Sequence, residues 1–285
     1  MSTKNNEIML VRLSVSTPFS TITNVQETES LLAVRAAQKG SLSVKMPSFA
    51  SPIVKQAKAA CGLIKKFHGT LTSRWDDAGF FLLKTNVYDT YCAGMDHRIS
   101  SARAEIMSLA DSWDVVVAAE RELKGDAFRE SMMPMPDDFV RSFDASYAFQ
   151  GLPNVDGLEL NSFTLSGLRK ALDKRNEEAL RETTNTLRAE MITFLSKITE
   201  TLADPDKIFR DSLIGNIKEL VEQRSARDMC DSPELRAQFD SVRDIVLRHT
   251  PDELRKNKAL RSRAAREADE LIASMTDQGK GRMVR

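Results

Sequence analysis

The chain has 285 residues, in which 41 Lys and Arg balance 41 Asp and Glu, so its formal net charge is zero. A balanced charge excludes a whole-molecule field that would hold a polyanion or an anionic membrane, and it leaves only local patches for such contacts. Charged residues make up 29% of the chain and aromatic residues 6%, which is typical of exposed helices around a modest core.

The start of the chain and its cysteines favour a cytoplasmic protein. The first ten residues, MSTKNNEIML, lack the apolar core of a secretory signal. The longest apolar run, residues 115–119, is far shorter than the roughly 18 residues needed to cross a bilayer. Cys61, Cys92 and Cys230 are widely spaced, which is typical of reduced thiols. We therefore expect no contact with a membrane.

Alternating apolar residues predict a small β-sheet. Residues 8–16 read IMLVRLSVS, in which every second side chain from Met9 onward is apolar, the period of a half-buried strand. Residues 143–149 alternate in the same way, and residues 158–163 are a candidate partner strand. We expect these segments to form a sheet at one end of a set of helices.

Apolar residues at helical spacing predict two long helices. Residues 87–124 carry apolar side chains at three- and four-residue steps, and residues 166–203 carry a second stripe whose first half is nearly all polar, as in a coiled-coil arm. Their similar lengths predict a long antiparallel helical hairpin. A shorter helix is expected over residues 51–69. The predicted fold class is therefore mainly α, with a minor β component.

The last third is predicted to be a run of short helices, because a capping side chain followed by proline starts a helix. These pairs are Asp204-Pro205, Ser232-Pro233 and Thr250-Pro251. The chain then divides into residues 1–50, a strand and irregular segment, residues 51–165, the first long helix with the sheet, and residues 166–285, the second long helix with a short-helix bundle. We expect these three segments to form one continuous structural unit.

Residues 72–91, TSRWDDAGFFLLKTNVYDTY, combine adjacent carboxylates with aromatic rings. Two carboxylates in a turn can hold a divalent cation or share a proton. No third carboxylate or His follows at a ligand spacing, however, and Asp before Gly is ordinary turn chemistry. We interpret the segment as a structural elbow, in which the carboxylates accept backbone amides and the rings dock the loop onto two helices. Its residues are Trp75, Asp76, Asp77, Gly79, Phe80 and Phe81.

The sequence predicts no catalytic residue, metal site or cofactor. Cys92 and His97 lie about 140° apart around a helix, so they do not form one zinc-binding face. His68 and His249 have no nucleophile at a recognisable spacing. Glycine-rich phosphate-binding motifs do not occur in the sequence.

The strongest polar feature is RKNKALRSRAAR, residues 255–266, which contains no acidic residue. Two interpretations remain open: a solvated helix, and a surface that contacts an anionic partner or nucleic acid. The basic residues are Arg255, Lys256, Lys258, Arg261, Arg263 and Arg266.

Three stretches, LVRLSVS, GTLTSRWDDAGFFLLKTNVYDTY and LADPDKIFRDSLIGNIKELVE, resemble a group of uncharacterised, mostly helical proteins of tailed phages and mobile elements. The resemblance runs with gaps across nearly the whole chain, although Phe19 stands where the group has a Trp. Genes of this group often lie near those for MoxR-type AAA+ ATPases and von Willebrand A-type proteins. The resemblance therefore implies an AAA+ ATPase as partner and the host-cell cytoplasm as location, and it supplies no catalytic residue.

From these patterns we expect a non-enzymatic, self-associating helical protein, a homo-oligomer that acts as an adaptor of an AAA+ ATPase system. One alternative is a single-strand DNA-binding or annealing protein of phage replication or recombination. It would use residues 255–266, with Tyr147 or Phe149 as stacking surfaces. Another alternative is a structural virion protein.

Overall fold

The computed structural model describes residues 7–156, 158–159, 161–204 and 207–280 of the chain. These residues are mainly α-helical and include a small antiparallel sheet, so the predicted fold class is confirmed. None of the helices that the structure describes is long and apolar enough to span a membrane.

Six strands are present in the described residues: β1 (Ile8–Ser16), β2 (Thr21–Thr23), β3 (Lys45–Pro47), β4 (Thr72–Arg74), β5 (Phe80–Lys84) and β6 (Asp144–Gly151). Four of them form a sheet of order β4-β5-β1-β6, while β2 and β3 form a separate antiparallel pair. The strands predicted at residues 8–16 and 143–149 are confirmed as β1 and β6.

The described helices are α1 (Val25–Val34), α2 (Lys55–Leu71), α3 (Tyr88–Asp111), α4 (Trp113–Lys124), α5 (Pro136–Arg141), α6 (Ser162–Ala203), α7 (Ser212–Arg227), α8 (Pro233–Val242), α9 (Pro251–Lys256) and α10 (Lys258–Lys280). A π-helical turn, Arg243–Leu247, follows α8. The helix predicted over residues 51–69 is confirmed as a short 3-10 turn followed by α2.

The partner strand predicted at residues 158–163 is wrong. Asn161 is instead the N-cap of α6, where its side-chain oxygen accepts a hydrogen bond from the Thr164 amide at 2.9 Å. Leu160 lies outside the described residues. The apolar residues before this cap resembled a strand because a short apolar run does not by itself distinguish a strand from a loop.

The single helix predicted over residues 87–124 is also wrong, because the chain leaves helical geometry at Ser112. This residue has φ −115° and ψ 39° and separates α3 from α4. Its hydroxyl donates to the carbonyl oxygen of Ser108 at 2.9 Å, a bond that competes with regular helix hydrogen bonding. The apolar spacing Leu109, Trp113, Val116 continues across the break, which is why periodicity alone did not detect it.

Described residues fall into two compact units, and neither unit is one continuous segment. The first unit draws on the described residues within 7–11, 70–88 and 149–280, and the second on Arg12–Gly69 and Asp89–Ala148. This division departs from the three consecutive segments expected from the sequence. The reason is that the chain leaves the first unit within β1, returns to it for residues 70–88, leaves it again, and returns a second time within β6.

The core of the first unit forms where α10 and α7 pack along α6 from Leu187 to Leu202. Arg261, near the start of α10, donates to the carbonyl oxygens of Thr201 and Leu202 at the end of α6, so the two helices run antiparallel. The long antiparallel helix pair is therefore formed by α6 and α10, which are not consecutive. The sequence had predicted a hairpin between residues 87–124 and 166–203. With 23 residues, α10 is also not a short helix.

Two of the three proline-marked helix starts are confirmed. Ser232 accepts the Leu235 amide through its hydroxyl, and Thr250 forms a capping box with Glu253. Asp204 is instead the C-cap of α6, and Pro205 lies outside the described residues. The next helix, α7, begins only at Ser212.

The second unit contains a fully buried carboxylate, Glu120 of α4. It accepts hydrogen bonds from the amides of Ala50 and Ser51 at 2.7–2.9 Å, where the chain enters α2, and it pairs with Lys124 at 3.0 Å. Burial raises the pKa of Glu120, but the two amides and Lys124 outweigh burial, so the pKa lies below its usual range. The carboxylate is therefore charged and joins α4 to the start of α2.

Helices α2 and α3 meet through an aromatic contact on a glycine. A Cβ atom on Gly94 would lie 2.2 Å from the Phe67 ring, so the ring occupies the space that a side chain would need. The Arg98 guanidinium lies 3.8 Å from the centre of the same ring and donates to the Gly94 carbonyl oxygen at 2.8 Å. Gly94 is therefore required for this close packing.

We expect Gly94→Ala to destabilise the protein by up to about 2 kcal/mol, because overpacking costs about 1–3 kcal/mol and helix propensity returns only about 1 kcal/mol. Gly62→Ala is the matched control, since nothing lies within 4 Å of a Cβ atom at that helical position. Urea unfolding of both variants tests this, and a stabilised Gly94→Ala protein would contradict it.

We expect Glu120→Gln to lower the free energy of unfolding by about 3–5 kcal/mol, because it leaves the buried Lys124 ammonium without its counter-ion. Since the folded-state pKa of Glu120 is depressed, its contribution is present above the unfolded pKa of about 4.3 and is lost as pH falls further. The difference between wild type and variant should therefore narrow in acid. The exposed neighbour Glu122, changed to Gln, is the control, and denaturant midpoints at pH 3 and pH 7 are the measurement.

Candidate functional site

The predicted elbow does connect two helices, α2 and α3, and it is a β-hairpin and not an irregular loop. Strands β4 and β5 pair antiparallel, with Arg74 opposite Phe81. Asp76 accepts the Phe80 amide through Oδ1 at 3.1 Å, whereas Asp77 is fully exposed and pairs with Arg74 at 2.8 Å. Gly79 has φ +88°, which a glycine adopts without strain. Among the described residues, no group of three or more His, Cys, Asp and Glu side chains has the arrangement of a metal site.

The aromatic rings of the hairpin are less buried than its aliphatic residues. Leu82 and Leu83 are completely buried, while Trp75 and Phe80 are partly buried and pack against the cluster that contains Leu82. Phe81 is also only partly buried. The hairpin is therefore anchored chiefly by leucines, which the sequence interpretation had not emphasised.

The charges of the basic segment are largely balanced inside the first unit. Arg261 is 4% exposed and binds backbone carbonyl oxygens, so it is not available to an anionic partner. Arg255 pairs with Asp211 and Asp252. Arg263 pairs with Glu267 at 2.7 Å and Arg266 with Glu270 at 4.0 Å. Lys256 and Lys258 are exposed.

The aromatic residues proposed for base stacking contact other rings. The Tyr147 hydroxyl donates to Asp96 at 2.7 Å, and burial together with this bond raises the pKa of Tyr147. In the first unit, the Phe149 ring lies 4.9 Å from the Tyr88 ring. Both rings are therefore part of the internal packing of their units.

The histidines and cysteines do not converge on one site. His68 is buried, its Nδ1 lies 2.8 Å from the Tyr91 hydroxyl, and burial lowers the pKa of His68 to about 4. His97 is exposed, while Cys92 is half-buried and carries a free thiol. The separation predicted for Cys92 and His97 agrees with this placement.

A buried polar cluster joins β5 to the turn between α7 and α8. Lys84 is 8% exposed, and its ammonium donates to Asp231 at 2.5 Å and to the Ser225 carbonyl oxygen at 3.1 Å. Ser225 lies in the last turn of α7, so the ammonium satisfies a carbonyl at a helix C-terminus. Asp231 has φ +48°, a backbone conformation that is strained for a residue with a side chain. A pocket of about 350 Å³ opens beside Lys84.

Asp228 is the fully buried member of this cluster. Its carboxylate accepts the Ser232 amide at 2.9 Å and the Thr184 hydroxyl at 3.3 Å. Burial raises the pKa of Asp228, and the Ser232 amide and the nearby Lys84 charge offset only part of that effect. Burial therefore favours the protonated form of this carboxyl more than in an exposed Asp. Its contacts connect α6 with the end of α7 and the start of α8.

A groove, here called the α7–α9 groove, lies on the first unit and has a volume of about 520 Å³. Its floor is apolar and its rim is polar or charged. The floor consists of Ile214, Val221, Leu247 and Pro251, and the rim of Lys218, Glu222, Arg243, His249 and Thr250. The sequence did not predict this groove because its two walls, residues 214–222 and 243–251, are separated along the chain. The capping box at Thr250 was the one feature of either wall that the sequence indicated.

Comparison with protein-family models, with curated proteins and with solved structures finds no match for this chain.

We expect Asp228→Asn to be at least as stable as wild type at pH 7. The amide oxygen can still accept the Ser232 amide, and the cost of burying a charge is removed. The pKa of Asp228 is higher in the folded state than in the unfolded state. Its contribution to the free energy of unfolding is therefore fully present below the unfolded pKa of about 3.9 and is lost as pH rises through the folded pKa. The advantage of the variant should therefore shrink from pH 7 to pH 4.

Melting temperatures at pH 4, 5.5 and 7 measure this dependence. Asp77→Asn is the control, because that carboxylate is fully exposed. A variant that loses more stability at pH 7 than at pH 4 would show that the Asp228 charge itself supports the fold.

Proposed function

We propose that the protein is a non-enzymatic helical adaptor that binds a partner protein through the α7–α9 groove. The observation that carries this proposal is the combination of an apolar floor and a charged rim. Recognition of an amphipathic segment uses this combination, because burial of apolar anchors supplies affinity and the polar rim sets orientation. The span from Ile214 to Val221 is about 10 Å along α7, which suits anchors on two turns of a bound helix.

The groove wall also contains an unusual backbone feature. Arg243 and Leu247 are the first and last residues of the π-helical turn. Such turns are rare and occur frequently at functional sites. The turn places the partly buried side chain of Leu247 on the groove floor and the exposed Arg243 on its rim. This placement supports a role for the groove in binding.

The partner we propose is an AAA+ ATPase encoded nearby, as the resemblance to phage and mobile-element proteins implies, and the adaptor associates with itself. The pairing of Arg255, Arg263 and Arg266 with neighbouring carboxylates supports an interaction with protein over one with nucleic acid at residues 255–266. Each of these ion pairs lies within one helix, α9 or α10, of the bundle that carries the groove. No residue is assigned a catalytic role in this proposal.

The rim provides a direct test. We expect Lys218→Glu combined with Arg243→Glu to weaken binding of the neighbouring ATPase at least about tenfold, because rim charges govern orientation and encounter. Both side chains are exposed, so the melting temperature should stay within about 2 °C of wild type. Co-expression and co-purification, followed by titration calorimetry, measure the loss.

Lys170→Glu combined with Lys174→Glu is the matched control, since it makes the same charge change on exposed positions of α6. Equal weakening by both pairs would argue for a nonspecific charge effect. Failure of the wild type to bind the ATPase, together with strictly monomeric behaviour in light scattering over a wide concentration range, would contradict the proposal.

A further inference from the structure

A long stretch of the second unit and its boundary contains only basic charges. From Ser30 to Trp75 the sequence has no Asp or Glu. The zero net charge of the whole chain conceals this local excess of basic residues. The stretch is also longer than the acid-free segment at residues 255–266. Its eight basic residues are Arg35, Lys39, Lys45, Lys55, Lys58, Lys65, Lys66 and Arg74.

Helix α2 collects four of these lysines on one side. At 100° per residue, Lys55, Lys58, Lys65 and Lys66 fall within a sector of about 100°, and they extend over roughly 17 Å of helix. The buried side of α2 is centred about 120° around the helix from these lysines. Its buried residues are Ala57, Cys61, Ile64 and His68. Lysines therefore form a row along the outer side of α2, here called the α2 lysine face.

Two lysines of this face, Lys55 and Lys65, are not balanced in the way that residues 255–266 are, whereas Lys58 is partly buried and donates to the Phe49 carbonyl oxygen. Lys55, Lys65 and Lys66 are exposed, and neither Lys55 nor Lys65 forms an ion pair with any residue that the structure describes. Glu105, on α3, accepts a hydrogen bond from Gln56. The buried Glu120 is paired with Lys124. The positive charges of Lys55 and Lys65 are therefore directed to solvent.

The face is also flat. Gly62 and Gly69 lie in the same sector, and a Cβ atom added at either position meets nothing within 4 Å. Glycines between lysines allow a linear partner to approach the helix backbone closely. The one large apolar side chain exposed on α2 is Leu63, far less than an amphipathic helix needs to insert into a membrane surface.

We propose that the α2 lysine face binds the phosphate backbone of duplex DNA without reading its sequence. A row of ammonium groups matches a linear array of phosphates, and contacts to phosphate position a protein without specifying bases. Stacking on single-stranded bases needs exposed aromatic rings, and the aromatic ring on α2, Phe67, packs on Gly94 beneath Arg98. This activity is independent of the α7–α9 groove and lies in the other unit.

The test compares two pairs of charge reversals in the full chain. Lys55→Glu with Lys65→Glu changes the α2 lysine face, and Lys256→Glu with Lys258→Glu makes the same change in net charge at the basic segment of the first unit. Fluorescence anisotropy with a labelled 20-base-pair duplex, at several salt concentrations, gives affinity and salt dependence. Circular dichroism and melting temperature verify that each variant is folded.

We expect the α2 pair to bind the duplex at least about tenfold more weakly than wild type and to reduce the slope of log K against log salt by about 2, because each phosphate contact contributes about 0.9. The control pair should retain nearly wild-type affinity and slope. A 20-nucleotide single strand should bind more weakly than the duplex.

Three results would overturn the proposal. The first is no duplex binding by wild type at 50 mM salt, and the second is equal losses for the two pairs of reversals. The third concerns vesicles of phosphatidylcholine and phosphatidylserine. If the α2 reversals weaken binding to these vesicles more than they weaken binding to DNA, the partner is a membrane surface.

Discussion

The arrangement of the first unit depends on one buried guanidinium, that of Arg261. Helix α6 ends with carbonyl oxygens that no later amide of the helix can satisfy. Arg261 donates to those of Thr201, Leu202 and Asp204, and to that of Lys207 in the following loop. Its planar group also lies 5.4 Å from the centre of the Phe209 ring. One side chain thus fixes the end of α6, the loop that follows and the start of α10, and only arginine has enough directional donors to do so.

The other helix ends are held by similar means, and these contacts define the surfaces available for binding. Lys84 satisfies the end of α7, Asp228 and Ser232 begin α8, and Glu120 holds the entry to α2. Charges committed to helix ends cannot also serve a partner. Exposed basic residues not used in this way lie on several surfaces, among them the outer side of α2 and the rim of the α7–α9 groove.

Local patterns in the sequence predicted local structure well. The alternation in residues 8–16 and the proline-marked starts at Ser232 and Thr250 gave correct elements, because their causes act within a few residues. The hairpin partner of α6 was missed because pairing of helices depends on contacts across some 60 residues, such as that of Arg261. The same limit applied to the groove, whose walls meet only after folding. The acid-free stretch from Ser30 to Trp75 was visible in the sequence, but an average over the whole chain hid it.

The interleaving of the two units imposes an order on their folding during synthesis. Every residue of the second unit has been made once the ribosome has passed Ala148, whereas the first unit needs α10, whose last described turn is near the end of the chain. During translation at about 5–20 residues per second, the second unit therefore has several seconds in which it can form before its neighbour is complete. Through that interval the nascent strands β4 and β5 lack the helices of their own unit, and their leucines require protection from aggregation.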